Sequence, residues 1–494
     1  MESFAEVEQR FRRVIVTAPT HGGAHGVLTL DGEDSVIDLS GDLPLASPPP
    51  PGWFDLRLVD GRDRDLFVHN LLRQSMTFPG VGSSSRTAQY FPNMLVDNAE
   101  AVDAEGRVRS ITFALDGWHD CFAYNYVETL DLCGSETPEL SAALEAARHD
   151  FAREEPFVPE AVYLLHDLGM LVDFEANDLH YSIFAGRYER FGRGDMIDVR
   201  LGLLGTIIFP AAVSLDTATD ACWDWRRFFN QMAMAPMAFT GMAVAASESP
   251  RAPRGNLYLP NQRCNSGWQR RRRSEAYHMP LNQWPERELL GQAMQTWLER
   301  QGERRVFRAA LDRVLARPGH VAIEDAVALC AGVDTLIELS SRSPFPAGVL
   351  DAMTNAAVMA AGEQRCAVDQ ARVRGLLGGL QNDDLRRRLT RVASIAAPET
   401  PSENAARLIE LVIGLRLFGA HGRQPSQDNQ MISGPAVEGL AALCARYDLQ
   451  EAGVPDHGSN GARSLPLLRW DEALMSIAIT DDASAIDPEI GRRL

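Results

Sequence analysis

The apolar residues of this chain change their period near residue 286, and that change limits the fold more than any other feature. Before it come short β-branched or alternating runs: RRVIVTA (12–18), GVLTL (26–30), SVIDL (35–39), FDLRLVD (54–60), RVRSITFAL (107–115), EAVYLL (160–165), HYSIFAGRYERF (180–191) and MIDVRLGLL (196–204). Gly, Asp and Pro separate them, as turns separate strands. After it the spacing becomes i, i+3, i+4, i+7, one face of a helix. Candidate helices are 286–316, 322–341, 348–364, 367–380, 382–396, 402–421 and 434–448. Ile323, Ala326, Leu329, Cys330, Val333, Leu336 and Ile337 form one such stripe. Two helices are also expected in the first half, at 138–154 and 218–233. The implied class is α+β: a β-rich part over 1–246, a loop or linker over 247–285, an all-α part over 286–450 and a mixed tail over 451–494.

The 494 residues suffice for two to four domains, and 45% apolar with 23% charged residues excludes disorder as the main state. The net charge of −19 divides into −14 over 1–284 and −5 over 285–494. Such acidity argues against a constitutive, non-specific nucleic-acid binder and leaves basic surface more readily to the second half. There is no lysine; all 48 basic residues are Arg. Schiff-base chemistry and a P-loop lysine are therefore excluded. The seven Cys are scattered without a C-x-x-C pair, against a disulfide framework or a zinc ribbon. No metal and no cofactor are expected. The charged start MESFAEVEQRFRR is no signal peptide, and the apolar run 201–213 is too short to cross a bilayer. A cytoplasmic protein without membrane contact is the expectation.

The constellation with chemistry in it is Arg416-Leu417-Phe418-Gly419-Ala420-His421. An arginine grips phosphate by two parallel hydrogen bonds, and a histidine moves a proton near neutral pH. Together they meet the needs of metal-independent RNA cleavage, in which a base takes the 2′-hydroxyl proton and an acid protonates the leaving oxygen. One motif supplies one histidine, so two protomers meeting at this helix would supply the pair. Composition alone predicts about one R-x4-H by chance, and the chain has three: Arg64…His69, Arg273…His278 and Arg416…His421. Only the third ends a helix in an all-helical region. Thr400-Pro401-Ser402-Glu403 reads as its capping box, and Gly419 and Gly422 mark its end. Residues i and i+5 on a regular helix point about 140° apart. His421 must therefore lie where the helix ends or bends. The bland alternative is a histidine capping a helix C-terminus.

Other motifs are weaker. Arg270, Arg271, Arg272 and Arg273 form the densest basic run, either RNA-binding or a solvated loop; Arg423 is a further candidate for RNA contact, and Arg386–Arg388 a lesser one. His21 and His25 have a metal-ligand spacing, but in a glycine-rich stretch that reads as a hairpin turn. Trp118-His119-Asp120-Cys121 reads as core or sheet edge.

The third motif and its preceding helices resemble a HEPN domain. The segments 25–39, 89–118, 180–191 and DWRRFFNQM (224–232) resemble the N-terminal part of the ApeA family, anti-phage HEPN proteins that act by abortive infection. The resemblance spans roughly 10–450. It implies a HEPN-like helical bundle, a homodimer at least, an RNA substrate and a phage-derived trigger. Arg416 would hold the scissile phosphate and His421 would act as acid or base in a composite site. A 2′,3′-cyclic phosphate product follows by analogy. Leu417 departs from the polar residue that often follows the motif arginine. A catalytically inactive dimerisation scaffold is the alternative; a carbohydrate-active protein ranks last.

Overall fold

The computed structural model describes residues 1–19, 23–41, 54–77, 86–118, 122, 127–131, 161–165, 169–191, 197–249, 252–260, 287–317, 322–339, 348–363, 373, 385–420, 427–455 and 464–486. Everything structural below concerns these residues. The chain is α+β, with a β-rich N-terminal part and a helical C-terminal part.

Helix α1 (Phe4–Arg10) begins at a capping box in which Ser3 and Glu6 exchange hydrogen bonds. It lays Phe4, Val7 and the following Phe11 against the sheet core. Strands β1 (Val14–Ala18), β2 (Ala24–Thr29) and β3 (Val36–Gly41) form one meander, and β4 (Phe54–Asp60), β5 (Asp65–Thr77) and β6 (Arg86–Val96) a second. The two meanders join twice, β1 to β4 and β3 to β6, all pairs antiparallel. Six strands thus close into a barrel, with a β1–β4 seam of two residue pairs, Val16 with Asp60 and Thr17 with Val59. Its interior holds Val16, Leu28, Ile37, Leu58, Val68 and Leu95, each fully buried.

A second sheet runs on from the barrel. It contains β7 (Arg107–Leu115), β10 (Met170–Ala176), β11 (Leu179–Phe191), β12 (Ile197–Ser214), β13 (Phe239–Ala245) and β14 (Arg254–Tyr258), in the order β14-β13-β7-β12-β11-β10. β14 joins the two by pairing with β13 on one side and β6 on the other. The strands β8 (Val127–Asp131) and β9 (Ala161–Leu165) pair separately.

Helix α2 (Leu215–Ala233), capped by the Ser214 side chain, lies on β7 and β12. Trp118, Trp225, Phe113, Phe229 and Tyr181 meet there edge to face or tilted, with ring centroids from 5.1 to 6.4 Å apart. Gly205 on β12 makes room for them: a Cβ there would come within 2.6 Å of the Trp118 ring. Helix α3 (Arg287–Glu299) packs on β10 and adds Leu290, Met294 and Trp297 to the same core.

The helical part comprises α4 (Gln301–Leu315), α5 (Ile323–Asp334), a 3-10 turn (Ile337–Leu339), α6 (Val349–Glu363), α7 (Leu385–Ala396), α8 (Ser402–Ala420), α9 (Gln427–Glu451) and α10 (Leu465–Ile486). Phe307, Leu329, Leu389, Leu408, Val412, Leu440 and Trp470 are in its core. No described helix is long and apolar enough to cross a membrane.

Several boundaries differ from the sequence reading. The stretch 286–316 is two helices, broken at Arg300, and the first belongs to the sheet core. The segment 247–285 is not wholly loop, because β14 lies in it. The tail carries α10, which packs Leu465 and Trp470 into the helical core. The candidate helix 138–154, and 367–380 apart from Val373, lie outside the described residues.

A buried charge cluster locks the two parts together. The Asp448 carboxylate on α9 accepts hydrogen bonds from Arg304 and Arg308 on α4 (2.6 and 2.7 Å), the Trp297 indole on α3 (2.9 Å) and the Gln231 amide on α2 (3.0 Å). Burial alone would push this carboxyl up; the guanidiniums of Arg308 and Arg304 reverse that and hold it below its ordinary value. Deleting the carboxylate leaves the buried Arg308 without a carboxylate partner and Arg304 with Glu338 and Glu451 only, which costs about 3–5 kcal/mol. Asp448→Ala is therefore expected to lower the urea-unfolding free energy of the full chain by that amount. Arg386→Ala, at an exposed ion pair, should change it by about 0–1 kcal/mol. A loss below 1 kcal/mol for Asp448→Ala would contradict this.

Candidate functional site

Arg416 lies in the last turns of α8, on the face turned toward the C-terminus of α5. The stripe Leu408, Val412 and Leu415 faces the helical core, so the next position turns outward to solvent. The Arg416 Nη2 donates to the Asp334 carboxylate at 3.2 Å, with both side chains about one-third exposed (35% and 37%). A pair this open to water contributes little stability and exchanges readily for another anion. Below it lies Cys330, whose thiol burial pushes up to about 12, against the opposing influence of the Arg416 charge. That thiol is inert as a nucleophile.

Two more arginines, on α7, cap the end of α5 and the backbone that follows it. Arg388 Nη1 donates to the backbone carbonyl of Asp334 at 2.7 Å, and Arg391 Nη1 to that of Leu339 at 2.6 Å. Cations at a helix C-terminus satisfy carbonyls that lack a partner within the helix. Arg386 pairs with Glu410 at 2.6 Å on the exposed side of α7 and α8. Asp334 thus meets two guanidiniums, Arg416 at its carboxylate and Arg388 at its carbonyl. The sequence reading treated Arg386–Arg388 as a lesser candidate; Arg391 and Asp334 it did not raise. Asp334 is 82 residues from Arg416, so only the packing of α5 on α8 joins them.

His421 and Arg423 lie outside the described residues, as do Arg270, Arg271, Arg272 and Arg273. Of the expected site only Arg416 is therefore located, on α8. His21, His119 and His278 are likewise outside, while Trp118 is fully buried in the aromatic core. Among the described residues no group of three His, Cys, Asp or Glu is placed to hold a metal.

The first R-x4-H pair separates in the fold. Arg64 turns back onto Asp60, two N···O contacts of 2.6 and 2.7 Å across a tight turn. His69, on β5, is held between two carboxylates instead: Nδ1 to Asp55 on β4 at 2.8 Å, and Nε2 to Asp216 in the first turn of α2 at 3.1 Å. Asn70, at φ 54°, adds its side-chain amide to Asp216. This clasp ties the barrel to α2. No local signal announces it, since Asp216 is 147 residues away.

Burial opposes a charge on the His69 ring, but the bonds to Asp55 and Asp216 outweigh it and raise its pKa. Burial also opposes the Asp55 charge, and the His69 and Asn70 bonds hold that carboxyl down. For a raised histidine, the stabilisation is complete below the unfolded value of 6.5 and fades as pH rises through the folded value. For a depressed carboxylate it is lost as pH falls. The clasp is therefore strongest from about pH 5 to 6. The stability gap between wild type and His69→Asn, measured by urea unfolding, should be about 1–2 kcal/mol at pH 6 and shrink toward pH 9. A gap that grows with pH would contradict the assignment.

Comparison with protein-family models, with curated protein sequences and with solved structures returns no match.

Proposed function

We propose that the chain is an anti-phage defence protein acting by abortive infection, in which an HEPN-like helical part cleaves RNA without a metal. Arg416 holds the scissile phosphate, and His421, paired with the same residue of a second protomer, supplies the acid and the base. The β-rich part senses a phage-derived trigger, and the homodimer forms through the helical part. The observation that carries this reading is the Arg416 guanidinium, one-third exposed (35%) near the end of an apolar, core-packed helix. Arg388, bonded to the backbone carbonyl of the same Asp334, adds a second positive charge suited to a polyanion. The acidity of residues 1–284 fits a part that repels RNA and takes up a different partner.

A non-catalytic dimerisation scaffold is the second reading, favoured by Leu417 beside the motif arginine and by the Asp334 carboxylate already seated on Arg416. The two part company in infected cells. Wild-type expression should protect bacteria against at least one phage of a panel, with new RNA fragments in total RNA on gels. His421→Ala, at unchanged protein level, should lose both. Protection by His421→Ala with intact RNA would favour the scaffold.

A further inference from the structure

We propose that the outer wall of the barrel carries a binding site for a small phosphate-bearing ligand of nucleotide size, gripped by Arg12 and Arg13. A cleft of about 490 Å³ lies there, lined by Arg12, Arg13, Val27, Thr29, Asp38 and Ser40 together with the backbone at Gly26. Strand alternation builds it. Leu28, Ile37 and Leu39 point inward and are buried, so Val27, Thr29, Asp38 and Ser40 point outward, with Val27 directly opposite Asp38. Arg12 and Arg13, in the turn between α1 and β1, are exposed and complete one side. Gly26 brings the two strands close: a Cβ there would come within 1.7 Å of the Asp38 carbonyl oxygen.

Arg10 is tied to Glu2 and Asp97, Arg64 to Asp60, Arg107 to Asp103 and Glu105, and Arg109 to Glu248. Among the described residues Arg12 and Arg13 have no carboxylate partner. Arg57, Arg62 and Arg254 also have no carboxylate partner among the described residues, but Arg12 and Arg13 are adjacent and share this cleft. Two adjacent guanidiniums without a carboxylate, in a part whose net charge is −14, form a local anion-attracting spot. Asp38 is the one acid in the cleft, and its Oδ1 accepts from the Gln89 amide at 3.1 Å. Guanidiniums bind phosphate through paired N–H bonds, and the Thr29 and Ser40 hydroxyls can donate or accept beside them. The volume lies in the range of small-molecule sites. The surrounding acids repel a long polyanion more than a short one, which favours a free nucleotide over a nucleic-acid strand. This site is separate from Arg416 and stands without the nuclease reading.

The test is calorimetric titration of the full chain at low salt with ATP, with inorganic pyrophosphate and with a twelve-residue oligothymidylate. ATP should bind one per chain, and Arg12→Gln/Arg13→Gln should weaken it by at least about tenfold. Arg12→Lys/Arg13→Lys should retain more affinity than the glutamine pair, and Asp38→Asn should tighten binding. His421→Ala should leave it unchanged. An unaltered thermal melt shows that the exposed substitutions leave the fold intact. Absence of binding of both ATP and pyrophosphate at millimolar concentration would overturn the proposal. So would equal affinity in the Arg12→Gln/Arg13→Gln chain, or oligothymidylate binding tighter than ATP.

Discussion

A fully buried carboxylate is the centre of the polar contact between the two parts of this chain, beside the bonds from Asn230 to Asp312 and from Gln301 to Asp224. Asp448 is wholly removed from water and is shared by two guanidiniums, an indole and an amide from three other helices. A lone buried ion is too costly to keep, so each group is tolerable only while the others are in place. Arg308 also lies over the Trp297 ring at 3.6 Å and donates to the Trp297 carbonyl and the Gln301 side chain. Toward the surface Arg304 and Arg300 reach Glu338 and Glu451, which balances three cations with three carboxylates. Apolar burial in the two cores supplies most of the stability. The charged cluster sets the register between them, since hydrophobic contact tolerates sliding and these hydrogen bonds do not.

That register bears on function through α9. Its first residue, Gln427, follows His421 closely in sequence, and Asp448 sits near its other end, about 32 Å away along a continuous helix. The helix that follows the candidate motif is thus anchored against α2 and α3, which pack on the sheet. The His69 clasp adds a second tie, from the barrel to the first turn of α2. A change in the β-rich part therefore has a physical route, through packed helices, to the segment after Arg416.

Local patterns made much of this legible. The short strands 12–18, 54–60 and 107–115 and the stripe through Leu329 and Val333 follow from alternation and helical spacing, because each buries one face. What escaped was long-range. Alternation does not mark β5 and β6, although β6 helps close the barrel by pairing with β3. Helix α3 shares its period with α4 yet belongs to the other core, and periodicity says nothing about which core a helix faces. The short β14 hides among Pro and Arg residues and earns its place only by pairing on both sides. The site was legible in part. Arg416 comes from a motif, whereas Asp334 meets it, and Arg388 meets Asp334, only through packing, and the His69 clasp needs partners from three elements.

The dependence on Asp448 is tested most directly by hydrogen exchange with mass spectrometry on wild type and Asp448→Asn, under conditions where both are folded. If the carboxylate locks the two parts, peptides from α2, α3, α4 and the second half of α9 lose protection together in the variant, while the barrel strands keep theirs. Loss confined to the residues flanking 448, with α2 and α3 unchanged, would contradict that role.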